Sequence, residues 1–434
     1  MHLSRYLKIY PYREEPGYLL FYSTKKASKV LLHESVMESI EKGAVIGTDE
    51  NTLSSLGILV PDRDEEKREM LRSIDTSNRE ATKFKSIVVM NLDCNLACIY
   101  CFEEGVKGAH YMSSKTADLL IDFIKRNALA EGKHVHLDFY GGEPLLSFGL
   151  IKDISRRLKA SSAERGLEYT FSLVTNGTLL TGERAEELSS LGLKSASITI
   201  DGPEENHNRF RPFRSGQGSF DLIIRNIKDA FPFAEIQLGG NYTSLNYHTF
   251  PVLLDYLLSE GLDRGKITLA RFDPVVKPRK GLPLRDYRDW SESINEPLLA
   301  GASLFLREEI LKRGFHTQKI IPSPCIVEDE NDMVVNYDGT IYKCPGFIGQ
   351  EGFSVGDLKS GVVDYREPYN LDLWKTEECL ECEYLPLCFG GCRYVKWLRD
   401  GAIDGIDCKK DFYDATLETF IRQEIQYGLK TGDD

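Results

Sequence analysis

Ser86-Ile87-Val88-Val89-Met90-Asn91-Leu92-Asp93-Cys94-Asn95-Leu96-Ala97-Cys98-Ile99-Tyr100-Cys101 is the stretch from which the rest of the chain can be read. A short β-branched run ends in a polar turn, and three thiols follow at x3 and x2 spacing. Going outward, further β-rich runs at 135–140, 170–175, 195–201, 235–241 and 267–272 alternate with longer amphipathic segments. That alternation is the mark of successive βα units around a parallel sheet. In the first helix Ser113 or Ser114 is placed to cap, and Ala117, Leu120, Ile121 and Ile124 repeat at helical spacing. The fold class expected is therefore α/β, a partial (β/α)6 TIM-like barrel.

The unusual residues fall at strand ends. Cys94 to Cys101 follow the first run, Gly141-Gly142-Glu143-Pro144 the second, Thr175-Asn176-Gly177 the third and Asp201-Gly202-Pro203 the fourth. In a parallel barrel the C-terminal strand ends share one rim, where active sites are assembled. Any one of these turns is ordinary punctuation, but four in register point to a site.

The chain has 434 residues, ten of them cysteine, and a net charge of −13. The charge repels phosphate backbones and argues against nucleic acid as the main partner. No apolar run approaches the roughly 20 residues of a membrane helix, and no signal-like h-region opens the chain, so a cytoplasmic protein is expected. In that compartment ten cysteines point to metal rather than disulfides. They divide into three (Cys94, Cys98, Cys101) and seven (Cys325, Cys344, Cys379, Cys382, Cys388, Cys392, Cys408), which fits iron–sulfur clusters better than zinc ribbons. Three thiolates hold three irons of a 4Fe–4S cube and leave the fourth open to an amino acid's amine and carboxylate. Glu143 and exposed backbone carbonyls are the expected acceptors for the amine, with glycines allowing close backbone approach.

Cys94-x3-Cys98-x2-Cys101, with Tyr100 before the last cysteine, resembles the CxxxCxxC motif of the radical S-adenosylmethionine enzymes, and Gly141-Gly142-Glu143-Pro144 resembles their GGEP motif. The later cysteines, Cys325-x13-Gly339-x4-Cys344, Cys379-x2-Cys382-x5-Cys388-x3-Cys392 and Cys408, resemble the SPASM extension in every spacing. The resemblance implies S-adenosylmethionine and three 4Fe–4S clusters as cofactors. It also implies cleavage of S-adenosylmethionine to a 5′-deoxyadenosyl radical, with an electron donor such as flavodoxin or ferredoxin as partner. It gives Cys94, Cys98 and Cys101 to the catalytic cluster. Cys325, Cys344 and Cys392 go to a first auxiliary cluster with one open iron, and Cys379, Cys382, Cys388 and Cys408 to a second. Tyr100, Gly141, Gly142, Glu143, Asn176, Thr199 and Arg211 are the implied cofactor contacts, Asn208 standing where relatives have aspartate.

The domain organisation expected is 1–80, a winged-helix-like, cysteine-free unit that recognises a peptide leader; 84–310, the barrel; and 311–434, the SPASM auxiliary-cluster domain. The charged segment 61–83 reads as a solvated linker helix. Pro345 stands where anaerobic sulfatase-maturating enzymes carry a catalytic aspartate. The function implied is thus a maturase forming thioether crosslinks in a precursor peptide. Carbon–carbon crosslinking and sulfatase maturation are the alternatives within the family. An iron–sulfur scaffold that binds peptides without catalysis is the alternative outside it.

Overall fold

The computed structural model describes residues 1–42, 48–101, 103–276 and 291–428. Six parallel strands form the barrel wall in sequence order: Lys83–Asn91, His134–Gly141, Tyr169–Thr175, Leu193–Thr199, Glu235–Tyr242 and Ile267–Pro274. Val88 pairs with Phe139, Phe139 with Leu173, and Leu173 with Ala196, so apolar residues stand level across the sheet and face one core. The helices Ser114–Asn127, Phe148–Ala163, Gly182–Ser190, Phe220–Ala230 and Phe250–Ser259 cover its outer face. In the first of them Ser113 is the cap, its Oγ accepting from Thr116 N at 3.0 Å. Ala117, Leu120, Ile121 and Ile124 are all buried there. The six expected strands are present, with ends shifted by at most three residues.

Two features depart from the sequence reading. The sheet does not stop at the first strand: Asp332–Val335 pairs parallel to it, Met333 opposite Ser86, and three short antiparallel strands continue outward to Gly361–Val362. The segment between Cys325 and Cys344 is thus rooted in the barrel's own sheet. The charged helix Arg63–Glu80 is not a solvated linker either. Glu66, Met70 and Ile74, at i, i+4 and i+8, are buried, and the two apolar residues pack against Trp374 and Leu380.

The N-terminal residues form a three-stranded antiparallel sheet (Leu7–Pro11, Tyr18–Ser23, Lys29–His33) with helices Glu34–Glu41 and Thr48–Ser55. The middle strand separates its side chains by period two. Phe21 enters a small core with Ile40, Leu53, Ile58 and Leu59, while Leu20 and Tyr22 face Tyr384, Leu387, Leu417 and Ile421 of the C-terminal region. Among the described residues no helix is long and apolar enough to cross a membrane.

The barrel core makes a direct test. Phe171 is fully buried, its ring 5.3 Å from Phe139 and edge-on to it. Phe171→Ala is expected to destabilise the barrel by about 3–5 kcal/mol. A shift in the denaturant midpoint worth under about 1 kcal/mol would contradict the packing.

Candidate functional site

The C-terminal strand ends enclose a cavity of about 280 Å³. Its wall carries Cys94, Cys98 and Cys101, with Tyr100, Gly141, Gly142, Asn176, Thr199 and Arg211, so nine of the ten residues singled out around this rim come together there. Glu103, Lys107, Tyr140, Thr175 and Asn241 line it too. Asn241 was within reach of the sequence, since it closes the fifth strand as Thr175 closes the third.

Glu143 is the exception. Its carboxylate is fully buried behind the wall, where it accepts from Thr175 Oγ1 at 2.8 Å, Asn176 N at 2.8 Å and Leu145 N at 3.0 Å. Burial pushes its pKa up, and these donors counter the shift. The carboxylate ties the second strand end to the third and stands behind the cavity wall. The glycines before it serve the same closure. Gly142 N donates to Asn91 O at 3.0 Å and Glu143 N to Asp93 O at 2.8 Å. A Cβ on Gly141 would lie 2.2 Å from Asn91 O, and one on Gly142 would lie 2.1 Å from Asp93 O. Gly141 also holds φ near 143°, which favours glycine.

The cysteine loop is fixed from both sides. Ala97 N donates to Pro212 O at 2.8 Å and Ile99 N to Phe210 O at 3.1 Å. Asn176 Nδ2 donates to Asn95 Oδ1 at 2.8 Å, while Asn176 Oδ1 accepts from Thr178 N at 2.9 Å. Asp93 caps Cys94 N at 2.9 Å and is itself held by Tyr111 and Arg214. Arg214 is thus engaged, and Arg209 lies over the Phe210 ring, which leaves Arg211 as the cavity's arginine.

A second buried carboxylate organises the other half of the rim. Asp201 accepts from the Tyr100 hydroxyl and, at 2.7 Å, from Asn241 N. The Tyr100 hydroxyl in turn accepts from Arg211 Nη1 at 2.9 Å and Asn241 Nδ2 at 3.1 Å. Burial pushes Asp201 upward, and the Arg211 charge opposes it. Asn208 Oδ1 caps the helix Phe220–Ala230, accepting from Ser219 N at 2.9 Å and Phe220 N at 3.0 Å, work that an aspartate would also do.

The later cysteines sort into two places. Cys379, Cys382, Cys388 and Cys408 line one cavity of about 370 Å³. Cys344 and Cys392 sit within electrostatic reach of Cys325. Asp407 N donates to Gly390 O at 2.8 Å and Asp407 Oδ2 accepts from Cys392 N at 3.4 Å, so the loop bearing Cys408 is stapled back onto the turn before Cys392.

Residues 88–233 match the Radical SAM superfamily. The chain is 36% identical over 299 residues to an uncharacterised protein of Methanocaldococcus jannaschii, covering 67% of this chain and 93% of that one. It is 23% identical over 374 residues to the cysteine-type anaerobic sulfatase-maturating enzyme of Clostridium novyi, covering 77% and 96%. Its fold is similar to that of Streptococcus suis SuiB bound to its precursor peptide SuiA, with a TM-score of 0.53, 15% identity, and 94% and 98% coverage. This is a radical SAM enzyme: the chain belongs to the Radical SAM superfamily.

Membership brings S-adenosylmethionine and a 4Fe–4S cluster, and the cavity fits both. Burial pushes the Cys101 thiol up to about 11 and raises Cys94 and Cys98 as well, so iron is what would make them thiolates. Among the described residues no three potential ligands converge on a point suited to one metal ion. A cube, by contrast, spreads its cysteines over separate irons.

His207 gives the pH test. Its Nδ1 accepts from Asp201 N at 3.2 Å, so Nε2 carries the proton toward Ser219 Oγ at 3.0 Å, and that hydroxyl donates to Arg211 O at 2.7 Å. Burial lowers the His207 pKa to about 3. Between that value and the unfolded value near 6.5 the unfolded chain binds the extra proton, so stability falls as pH drops through this window, by about 1.4 kcal/mol per unit. The unfolding free energy of wild type minus His207→Gln is expected to shrink from pH 7 to pH 5. A pH-independent difference would contradict a neutral, buried His207.

Proposed function

We propose that the chain is a peptide maturase that forms thioether crosslinks, cysteine sulfur to carbon, in a ribosomally made precursor peptide. The observation that carries the reading is the sorting of all ten cysteines into a set of three on the rim cavity, a second set of three and a set of four. We take these as three 4Fe–4S sites: Cys94, Cys98 and Cys101; Cys325, Cys344 and Cys392; and Cys379, Cys382, Cys388 and Cys408. The two three-thiol sites each leave one corner without a protein cysteine. At the rim that corner takes S-adenosylmethionine, and at Cys325, Cys344 and Cys392 it is open to a substrate thiolate, which favours sulfur as the crosslinking atom.

When bound and reduced by a flavodoxin or ferredoxin, the rim cluster supplies a 5′-deoxyadenosyl radical from S-adenosylmethionine, which takes a hydrogen atom from the substrate. The chain's own residues orient and enclose. Tyr100, Asn176, Thr199 and Arg211 face the cavity, with Arg211 offering a guanidinium to a carboxylate. Glu143 and Asp201 hold the loops in register from behind. Residues 1–80 recognise the leader, 84–310 form the catalytic barrel and 311–434 carry the auxiliary sites. The likeness of fold to SuiB, whose structure holds a precursor peptide, supports a peptide substrate.

A second reading, sulfatase maturation, is favoured by the relative from Clostridium novyi. The two part on the product. Mass spectrometry of a co-expressed cysteine-bearing precursor is expected to show a loss of two hydrogens per crosslink, with the cysteine no longer alkylable. A modified sulfatase and an unchanged precursor would establish the second reading instead. Iron content gives an independent check, with about twelve irons per chain expected after anaerobic reconstitution. Changing Cys94, Cys98 and Cys101 to alanine together is expected to remove about four of them and all formation of 5′-deoxyadenosine. Retained cleavage in that variant would overturn the rim assignment.

A further inference from the structure

The loop that carries Cys379, Cys382 and Cys388 has little structure of its own. Its two helices, Glu377–Leu380 and Leu385–Cys388, are one turn each, and Cys408, the fourth thiol, is exposed. Segments this short do not hold a conformation without outside contacts. The contacts come from the other end of the chain. Tyr6, fully buried, donates its hydroxyl to Leu380 O at 3.1 Å, and Thr24, also fully buried, donates to Glu383 O at 2.6 Å. Each accepting carbonyl belongs to the residue directly after a cysteine, Cys379 in one case and Cys382 in the other.

Charge follows the same line. Lys8 pairs with Glu383 at 2.9 Å, Lys67 with Glu381 at 3.0 Å, and Arg5 with Glu381. Half-exposed pairs of this kind add little energy, but together they set the register of the contact. Beneath them the Tyr6 ring joins Trp374, Leu380, Leu385 and Phe389 in one apolar cluster that includes Cys379. The strand Tyr18–Ser23, just before Thr24, reaches further, since Tyr22 donates to Ile320 O at 2.7 Å on the segment leading to Cys325.

We propose that the N-terminal unit buttresses the loop that lines the four-thiol site, with Tyr6 and Thr24 as positioning residues that clamp it between Cys379 and Cys388. The proposal rests on the reading of those four cysteines as a cluster site. It assigns the unit a job beyond leader recognition: it helps to retain the cluster by holding the loop that carries three of its four cysteines.

The test uses the full-length, anaerobically reconstituted protein. Tyr6→Phe and Thr24→Val each remove one hydroxyl and keep the shape, leaving a buried carbonyl unpaired. The readout is the rate at which iron passes to a ferrous chelator, resolved into its phases, alongside 5′-deoxyadenosine formation. The double variant is expected to release about four irons roughly tenfold faster than wild type, with the remaining iron and 5′-deoxyadenosine formation unchanged. Wild-type release kinetics in the double variant, or equal acceleration of all phases, would overturn the clamp. Changing Cys379 and Cys382 together to serine separates the two claims. Loss of about four irons there upholds the cluster reading whatever the clamp variants do, and full iron content there would overturn the reading and the clamp with it.

Discussion

Two carboxylates buried away from solvent, Glu143 and Asp201, govern this molecule. A desolvated carboxylate is costly unless several donors converge on it. Glu143 gathers donors from the loop after the third strand and from its own turn. Asp201 gathers Tyr100 from the cysteine loop and Asn241 from the fifth strand. Each therefore fixes the spacing of strand ends that share no sequence neighbourhood. The cysteine loop is held between them, pressed onto the Gly141-Gly142 turn so tightly that no side chain fits. The rim is tied together by the chain's own groups, which suits a site that has to shelter a radical from water and from the wrong hydrogen atom.

Much of this was legible in the residues. The alternation of β-rich and amphipathic runs placed all six strands and the caps of the first helix, because local periodicity reports which face of an element is buried. The turns Cys94–Cys101, Gly141–Pro144, Thr175–Gly177 and Asp201–Pro203 located the rim, because a parallel barrel leaves only one place for strand-end chemistry. What was not legible depended on distance along the chain. Nothing local to Glu143 says that its carboxylate turns inward to meet Thr175 and Asn176 rather than outward to a ligand. Asp332–Val335 is too short to announce itself and becomes a strand only by pairing with Lys83–Asn91. Met70 and Ile74 carried the signal of a buried helix face at i and i+4, but the charges around them outweighed it.

The C-terminal region follows a different logic from the barrel. Its cysteine-bearing loop runs in one-turn helices, and the region is braced by the barrel sheet on one side and the N-terminal unit on the other. The buried pair of Arg393 and Glu328 adds an internal tie beside Cys392 and Cys325. Such a pair is weak evidence for stability but strong evidence for register, because only one arrangement satisfies both charges. The rim is thus tied together by two buried carboxylates, while the C-terminal region is braced by the barrel sheet and the N-terminal unit.

The central claim is that the rim cavity binds S-adenosylmethionine on a cluster held by Cys94, Cys98 and Cys101 and cleaves it reductively. The direct measurement is chromatographic quantitation of 5′-deoxyadenosine from reconstituted, dithionite-reduced protein given S-adenosylmethionine under strict anaerobiosis. The account predicts 5′-deoxyadenosine and methionine in equal amounts. Intact S-adenosylmethionine after full reduction of the iron would contradict it.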